Sequence, residues 1–215
     1  MEDSSISDVI VLYHGSGQRV SELQLGIGNP FNDYGLGFYA STSFKMAAEW
    51  AVPAPNKDGF VNQYELIVKD LSILYLDEQP FEHWVSVLLQ NRGVRFNREV
   101  NRDINRFIQK YPFDLSTYDI ICGHRADDAY FSFVRDFYLN ILSIENLKKA
   151  MYLGNLRQYC LLSQQAYDAT NFIDTTRVLA KHYHASRIIR NDIAKDNYRN
   201  IPNKREGALI IDIIR

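Results

Sequence analysis

Hydrophobic and polar positions along the chain mark out a series of short elements. Val9–Tyr13 is an apolar run that stops at His14-Gly15, the pattern of a buried strand. Residues 15–37 are rich in Gly, Asn, Asp and Pro and predict loop and turns. Phe38–Ala40 resumes as a strand, and Ser41-Thr42-Ser43 offers N-caps to a helix over Phe44–Ala51, closed by Pro53 and Pro55. Val61–Val68 alternates as a strand does, and Ile73–Leu76 predicts a second short one. Trp84, Val85, Leu88 and Leu89 give Phe81–Asn91 a helical period. After Gly93 a further helix is predicted over 96–111, with Val100, Ile104, Phe107 and Ile108 as its apolar face.

The second half continues in the same style. Tyr118–Cys122 predicts a buried strand that runs into Gly123-His124-Arg125-Ala126-Asp127-Asp128. Helix is expected from there to Leu139, and again over Ser143–Met151, where Glu145 suits the N-terminal dipole. Gln158 leads into a strand over Tyr159–Leu162, a basic helical segment spans 176–195, and the apolar Ala208–Ile214 predicts a terminal strand. Strands at both ends with helices between them give no regular β-α alternation. The expected class is therefore α+β, not a doubly wound parallel sheet.

Composition changes this picture little: 46% hydrophobic and 23% charged is ordinary for a globular chain of 215 residues. The charge is unevenly spread. Residues 1–176 hold 15 Lys+Arg against 22 Asp+Glu, whereas residues 177–205 hold 8 against 2. An acidic body with a basic tail suits an anionic partner, although a solvated helix face accounts for it equally well. Arg98, Arg102, Arg106 and Lys110 form a second basic row at intervals of four, with Glu99 and Asp103 available to pair with it. No secretory leader and no membrane-spanning run are read, and two cysteines are too few for a disulfide framework, so a reduced cytoplasmic setting is expected.

Candidate chemistry concentrates at few places. Gly35-Leu36-Gly37-Phe38-Tyr39-Ala40 matches the dinucleotide fingerprint in form, but a strand follows it where that motif requires a helix. His182 and His184 lack a carboxylate or cysteine cluster, so no metal site is expected. No nucleophile elbow or phosphate-binding P-loop occurs. What stands out is His14-Gly15-Ser16 at the end of one strand, followed 25 residues later by Tyr39 in a second strand flanked by Gly37 and Ser41. Glycines beside a polar and an aromatic side chain suit close approach of a flat, polar ligand.

These two segments resemble the first two motifs of the ADP-ribosyltransferase superfamily, the His and Tyr of its H-Y-E triad. More narrowly, the chain resembles a bacterial and phage family of ADP-ribosyltransferase-like domains of unknown function. There the same motifs are followed by Asn-Arg, a Tyr-Asp-x-Ile-x-Gly-x-x-Ala-Asp-Asp segment and a Gln entering a strand. Here these are Asn91-Arg92, Tyr118 to Asp128, and Gln158. The resemblance implies a split pair of antiparallel sheets around an NAD cleft with peripheral helices, over a domain of residues 1–170. Residues 171–215 would be a basic helical extension with a terminal strand, packed on the same domain.

It further implies that NAD is the substrate and that ADP-ribose passes to a macromolecular acceptor, as in a bacterial or phage toxin or effector. His14 would bond a ribose hydroxyl, the Gly15 backbone would hold the nicotinamide amide, and Tyr39 would stack on the nicotinamide ring. Gln158 would take the third triad position. Ser16, Gly37, Ser41, Arg92, Asp127 and Asp128 would complete the walls. Gln158 stands where many transferases carry Glu, and an amide can orient a hydroxyl but cannot take a proton. Three readings of that departure stay open. Asp127 or Asp128 supplies the carboxylate, the acceptor arrives already nucleophilic, or the domain binds NAD or another nucleotide without turnover. NAD hydrolysis is a further alternative. The acceptor, protein or nucleic acid, would meet Arg98, Arg102, Arg106 or the basic tail, and an antitoxin protein is a further expected partner.

Overall fold

The computed structural model describes residues 8–93, 96–126, 128–152 and 157–215. In chain order the elements are β1 (Val9–Ser16), β2 (Phe38–Ala40), α1 (Phe44–Ala51), β3 (Gly59–Ile67) and β4 (Ile73–Tyr75). A 3-10 turn, Leu76–Glu78, leads into α2 (Phe81–Asn91) and α3 (Arg98–Lys110). Then follow β5 (Ile120–His124), α4 (Asp128–Tyr138), α5 (Ile144–Tyr152), β6 (Arg157–Leu161), α6 (Gln164–Asp168), β7 (Thr170–Val178), α7 (Ala180–Arg199) and α8 (Ile210–Ile213). The class is α+β.

The strands form two open sheets. In the first, β3 is central and pairs antiparallel with β1 and β7. The second has the order β2-β6-β5-β4, with β2 and β5 antiparallel to β6. The expectation of purely antiparallel sheets needs correction here, because β4 runs parallel to β5. A parallel neighbour requires a crossover, and the long α2–α3 excursion between β4 and β5 supplies it.

The sheets touch at one bridge, where Tyr13 and Ser41 exchange backbone hydrogen bonds of 2.7 and 2.9 Å. Helix α1 lies across the first sheet and is seated on glycines. A Cβ on Gly15 would fall 1.8 Å from the Ala47 carbonyl oxygen, and one on Gly59 would fall 2.0 Å from that of Ala51. Ala47, Ala48 and Ala51 make the helix side of that contact equally slim. Ser43 caps α1 by accepting from the Met46 N–H, as the Ser-Thr-Ser run predicts.

The main core lies between the second sheet and α2, α4 and α5, with Trp84, Phe133, Phe137 and Leu147 all buried. Residues 170–178 are a strand, not the lead into a basic helix. β7 is an edge strand that buries little besides Val178, so its sequence lacks the apolar alternation by which strands are read. The basic helix accordingly starts at Ala180 and runs to Arg199. The predicted terminal strand is the short helix α8. Its Ile210 is buried, the Asp212 carboxylate accepts from the Leu209 N–H, and Lys110 on α3 donates to the Ile213 carbonyl. That docking overrides the β preference of an isoleucine run. Among the described residues no helix is long and apolar enough to cross a membrane.

Candidate functional site

Beyond the Tyr13–Ser41 bridge, β1 and β2 part. Hydrogen-bonding direction alternates along a strand. Tyr13 turns its N–H and C=O toward β2, so His14 turns toward β3 and Gly15 toward the β2 side again, where no strand partner follows. The gap between Gly15 and the start of β2 is the mouth of the site.

His14 spans this gap. Its Nδ1 donates to the Tyr39 carbonyl at 2.7 Å, and its ring lies 4.6 Å from that of Phe38. A backbone carbonyl only accepts, so the proton sits on Nδ1 and leaves Nε2 as an acceptor. Burial lowers the imidazole below its ordinary 6.5, which keeps it neutral. The Tyr39 hydroxyl donates to the Gly35 carbonyl at 2.7 Å and accepts from the Tyr34 N–H at 3.0 Å. Both bonds fix the ring in place, and burial pushes the phenol upward.

Two cavities adjoin, sharing Tyr39 and Asn32. The larger, about 450 Å³, holds His14, Ser16, Gly37 and Phe38 on its strand side and residues of the 18–28 loop opposite. Buried Asn62 holds that loop: its side chain accepts from the Val20 N–H at 3.0 Å and donates to the Gln18 carbonyl at 3.3 Å. The Tyr64 hydroxyl donates to the Val20 carbonyl at 2.5 Å. The smaller cavity, about 230 Å³, contains Gln158, Arg92 and Asp33 on one side and Trp50, Arg125 and Arg187 on the other. Tyr39 is thus common ground, while His14 and Gln158 face different cavities.

Asp33 organises the smaller one. Its Oδ1 accepts from Arg92 at 2.6–2.7 Å, and its Oδ2 accepts from the Ala126 N–H at 2.9 Å and from Gln158 Nε2 at 2.7 Å. Arg92 also donates to the Ala126 carbonyl. Burial raises the Asp33 carboxyl above 3.8, opposed by the Arg92 charge and the N–H donors. Every partner around it is a donor, so the arrangement suits the carboxylate form. An ionised acceptor also fixes the Gln158 amide: Nε2 must face Asp33, and Oε1 is turned away as an acceptor.

A family model described as Protein of unknown function (DUF3990) matches residues 10–172. The chain belongs to that family. No curated protein and no solved structure matches it. The DUF3990 match runs from β1 into β7 and so includes the strands that carry His14, Tyr39 and Gln158; Arg187, on α7, lies beyond it.

The remaining expected site residues fall in varied places. Ser16 lines the larger cavity and accepts from the Gln18 N–H at 3.3 Å. Ser41 is buried, accepting from the Ser43 N–H and donating to the Arg157 carbonyl, so it fastens β2 to β6. Asp127 lies outside the described residues, and Asp128 opens α4. The glycines also carry a packing role. Gly15 makes room for α1, and a Cβ on Gly37 would meet Cys160 Sγ at 2.6 Å, so both serve the protein's own packing.

The basic row on α3 is partly occupied, since Arg102 meets Glu99 and Asp103 and Lys110 bonds Ile213. The cysteines are inert thiols, pushed up by burial to about 11 at Cys122 and about 12 at Cys160. Among the described residues no group of three or more His, Cys, Asp or Glu could hold a metal ion. Sequence reasoning missed Asp33, Asn32, Trp50, Arg125, Arg187 and Asn62. Only Asp33 had a signal, since an Arg at the end of an apolar helix calls for a carboxylate, but the sequence does not say which one.

Proposed function

We propose that the cleft binds NAD and that the protein transfers ADP-ribose from it to a macromolecular acceptor. The observation that carries this reading is the His14–Tyr39 contact, 2.7 Å between side chain and carbonyl, at a place where β1 turns an unpaired glycine backbone toward the gap. A nicotinamide carboxamide carries an NH2 donor group beside a carbonyl acceptor, the counterparts of the C=O and N–H that Gly15 offers. His14 Nε2, the unprotonated nitrogen of a neutral ring, suits accepting from a ribose hydroxyl. The two adjoining cavities are of a size and polarity for a small polar ligand.

Breaking the ribose–nicotinamide bond gives an oxocarbenium-like state, as in glycoside cleavage. Nicotinamide leaves as a neutral group with the bonding electron pair, so a strong general acid is unnecessary. The chain's residues hold the sugar and exclude misplaced water. Gln158, with its Oε1 turned from Asp33, acts as a positioned acceptor for a hydroxyl. Asp33 stands behind Gln158, bound to Arg92, and serves as its anchor. Among the three readings of the Gln, this arrangement favours an acceptor that arrives already nucleophilic.

The test is incubation of the full chain with NAD labelled on its adenine side, together with protein and nucleic-acid acceptors. Label moving to a macromolecule is the expected result, lost in His14→Ala and Tyr39→Ala. Free ADP-ribose would assign hydrolysis instead, and unchanged NAD with measurable binding would assign a binding module. NAD binding that survives both substitutions would sink the cleft assignment.

A further inference from the structure

Helix α7 places two arginines one turn apart on its inward side, Arg187 and Arg190, and their surroundings differ. Arg190 meets the buried Glu49 carboxylate of α1 at 3.0 Å, which neutralises it and fastens α7 to α1. Stacking of Tyr198 on Phe133, with ring centres 4.1 Å apart, fastens the far end of the helix to α4. Arg187, so held, lines the smaller cavity and makes no ion pair among the described residues. On its side of the cavity is Arg125, whose guanidinium lies 4.0 Å over the Trp50 ring, and across from it is Arg92. Asp33, the carboxylate among the described residues of that lining, has its oxygens engaged by Arg92, Ala126 and Gln158, so it does not compensate Arg187.

A guanidinium turned into a partly enclosed space without an ion pair of its own favours an anion beside it. Planar guanidinium groups present paired donors that match phosphate oxygens. A space of about 230 Å³ admits a phosphate group with part of the molecule bearing it. Gln158 on the wall adds a neutral side chain where a Glu would repel an anion.

We propose that the smaller cavity is a phosphate-binding site, with Arg187 of the C-terminal helix closing it opposite Arg92. Its ligand is a phosphate-bearing molecule, and the phosphate has two sources: the diphosphate of a dinucleotide lying across Tyr39, or a separate phosphorylated acceptor. The inference stands on the lining alone and is independent of ADP-ribose transfer. It gives α7, which lies beyond the family match, a direct part in ligand recognition.

Titration of the full chain with inorganic phosphate and with pyrophosphate, followed by calorimetry at low salt, tests it. Saturable binding is expected, weakened about tenfold or more in Arg187→Ala and partly restored in Arg187→Lys. Arg215→Ala, exposed beyond α8 and outside both cavities, is expected to bind as the wild type does. Circular dichroism and a thermal melt establish that each variant is folded. No saturable binding, or equal weakening by Arg215→Ala, would overturn the site and leave only diffuse surface charge. A folded Arg187→Ala protein that binds as tightly as the wild type would also overturn it. Competition with NAD separates the sources: phosphate that displaces NAD assigns the dinucleotide diphosphate, and phosphate that binds alongside NAD assigns a separate acceptor. Phosphate binding without any NAD binding would leave this site standing while removing the transferase reading.

Discussion

The two cavities that meet at Tyr39 are built in opposite ways. The smaller one has most of its wall tethered: Gln158 to Asp33, Asp33 to Arg92, Arg92 to the Ala126 carbonyl, and Arg125 over Trp50. The larger one takes one wall from strands and the other from the loop after β1, which Asn62 and Tyr64 hold at Gln18 and Val20. Ion pairs and charge-assisted bonds fix positions closely, whereas a loop held at a few points can adjust to its ligand. Groups whose orientation must be fixed before a ligand arrives sit in the first; the second has freedom to shape itself.

The largest test of that contrast is Asp33→Ala. It leaves Arg92 without its carboxylate and Gln158 and the Ala126 N–H without an acceptor. Breaking a buried pair in this way costs about 3–5 kcal/mol, toward the lower end here because Arg92 keeps 21% of its side-chain exposure. The midpoint of urea unfolding measures it, and a loss under about 1 kcal/mol would show that the smaller cavity is not held ionically.

Next comes a pair of glycines on the larger cavity's side. Gly15→Ala drives a Cβ to 1.8 Å from the Ala47 carbonyl, and the backbone of α1 must shift, at about 2–3 kcal/mol. Gly17→Ala, two residues on, meets nothing within 4 Å and is expected to stay within about 0.5 kcal/mol. Thermal melts of both variants decide whether the end of β1 is rigid right up to the loop.

A smaller effect is expected for Gln158→Glu, which sets a second carboxylate at the 2.7 Å contact with Asp33. Repulsion raises one of the two carboxyls, so this variant loses on the order of 1–2 kcal/mol at neutral pH and recovers as acid protonates it. Stability against pH, with Asp33→Asn/Gln158→Glu as the relieved double variant, reads this out.

The smallest effect belongs to wild-type protein in mild acid. His14 and His124 are both lowered below 6.5 by burial. The unfolded chain therefore binds protons that the folded one refuses. Their stabilising contribution is complete above about pH 6.5 and is lost as the pH falls below it. Asp33, raised by burial, acts with the opposite sign in more acidic solution. A stability curve that stays flat between pH 7 and 5.5 would contradict the burial of both imidazoles.

Elements whose own residues determine them were legible in the sequence. Helices α1 and α2 fall where the Ser-Thr-Ser cap and the Trp84–Leu89 spacing place them. β7 and α8 were not, because one is a polar edge strand and the other an isoleucine run recruited by α3. The site divides along the same line. His14 and Tyr39 stand in short motifs with glycine neighbours, and strand pairing brings them together. Asp33 lies in a loop that carries no periodicity, and its partners lie 59, 93 and 125 residues away. Such contacts follow from the path of the chain and leave no local mark.

The parting of β1 and β2 after a single bridge makes the ligand a structural participant. A molecule bearing an amide, set against Gly15, would become the next rung of the interrupted ladder and join two sheets that otherwise meet at Tyr13 and Ser41. Occupancy would then register far from the ligand itself, as slower hydrogen exchange at the Gly15 amide and along both strands it links.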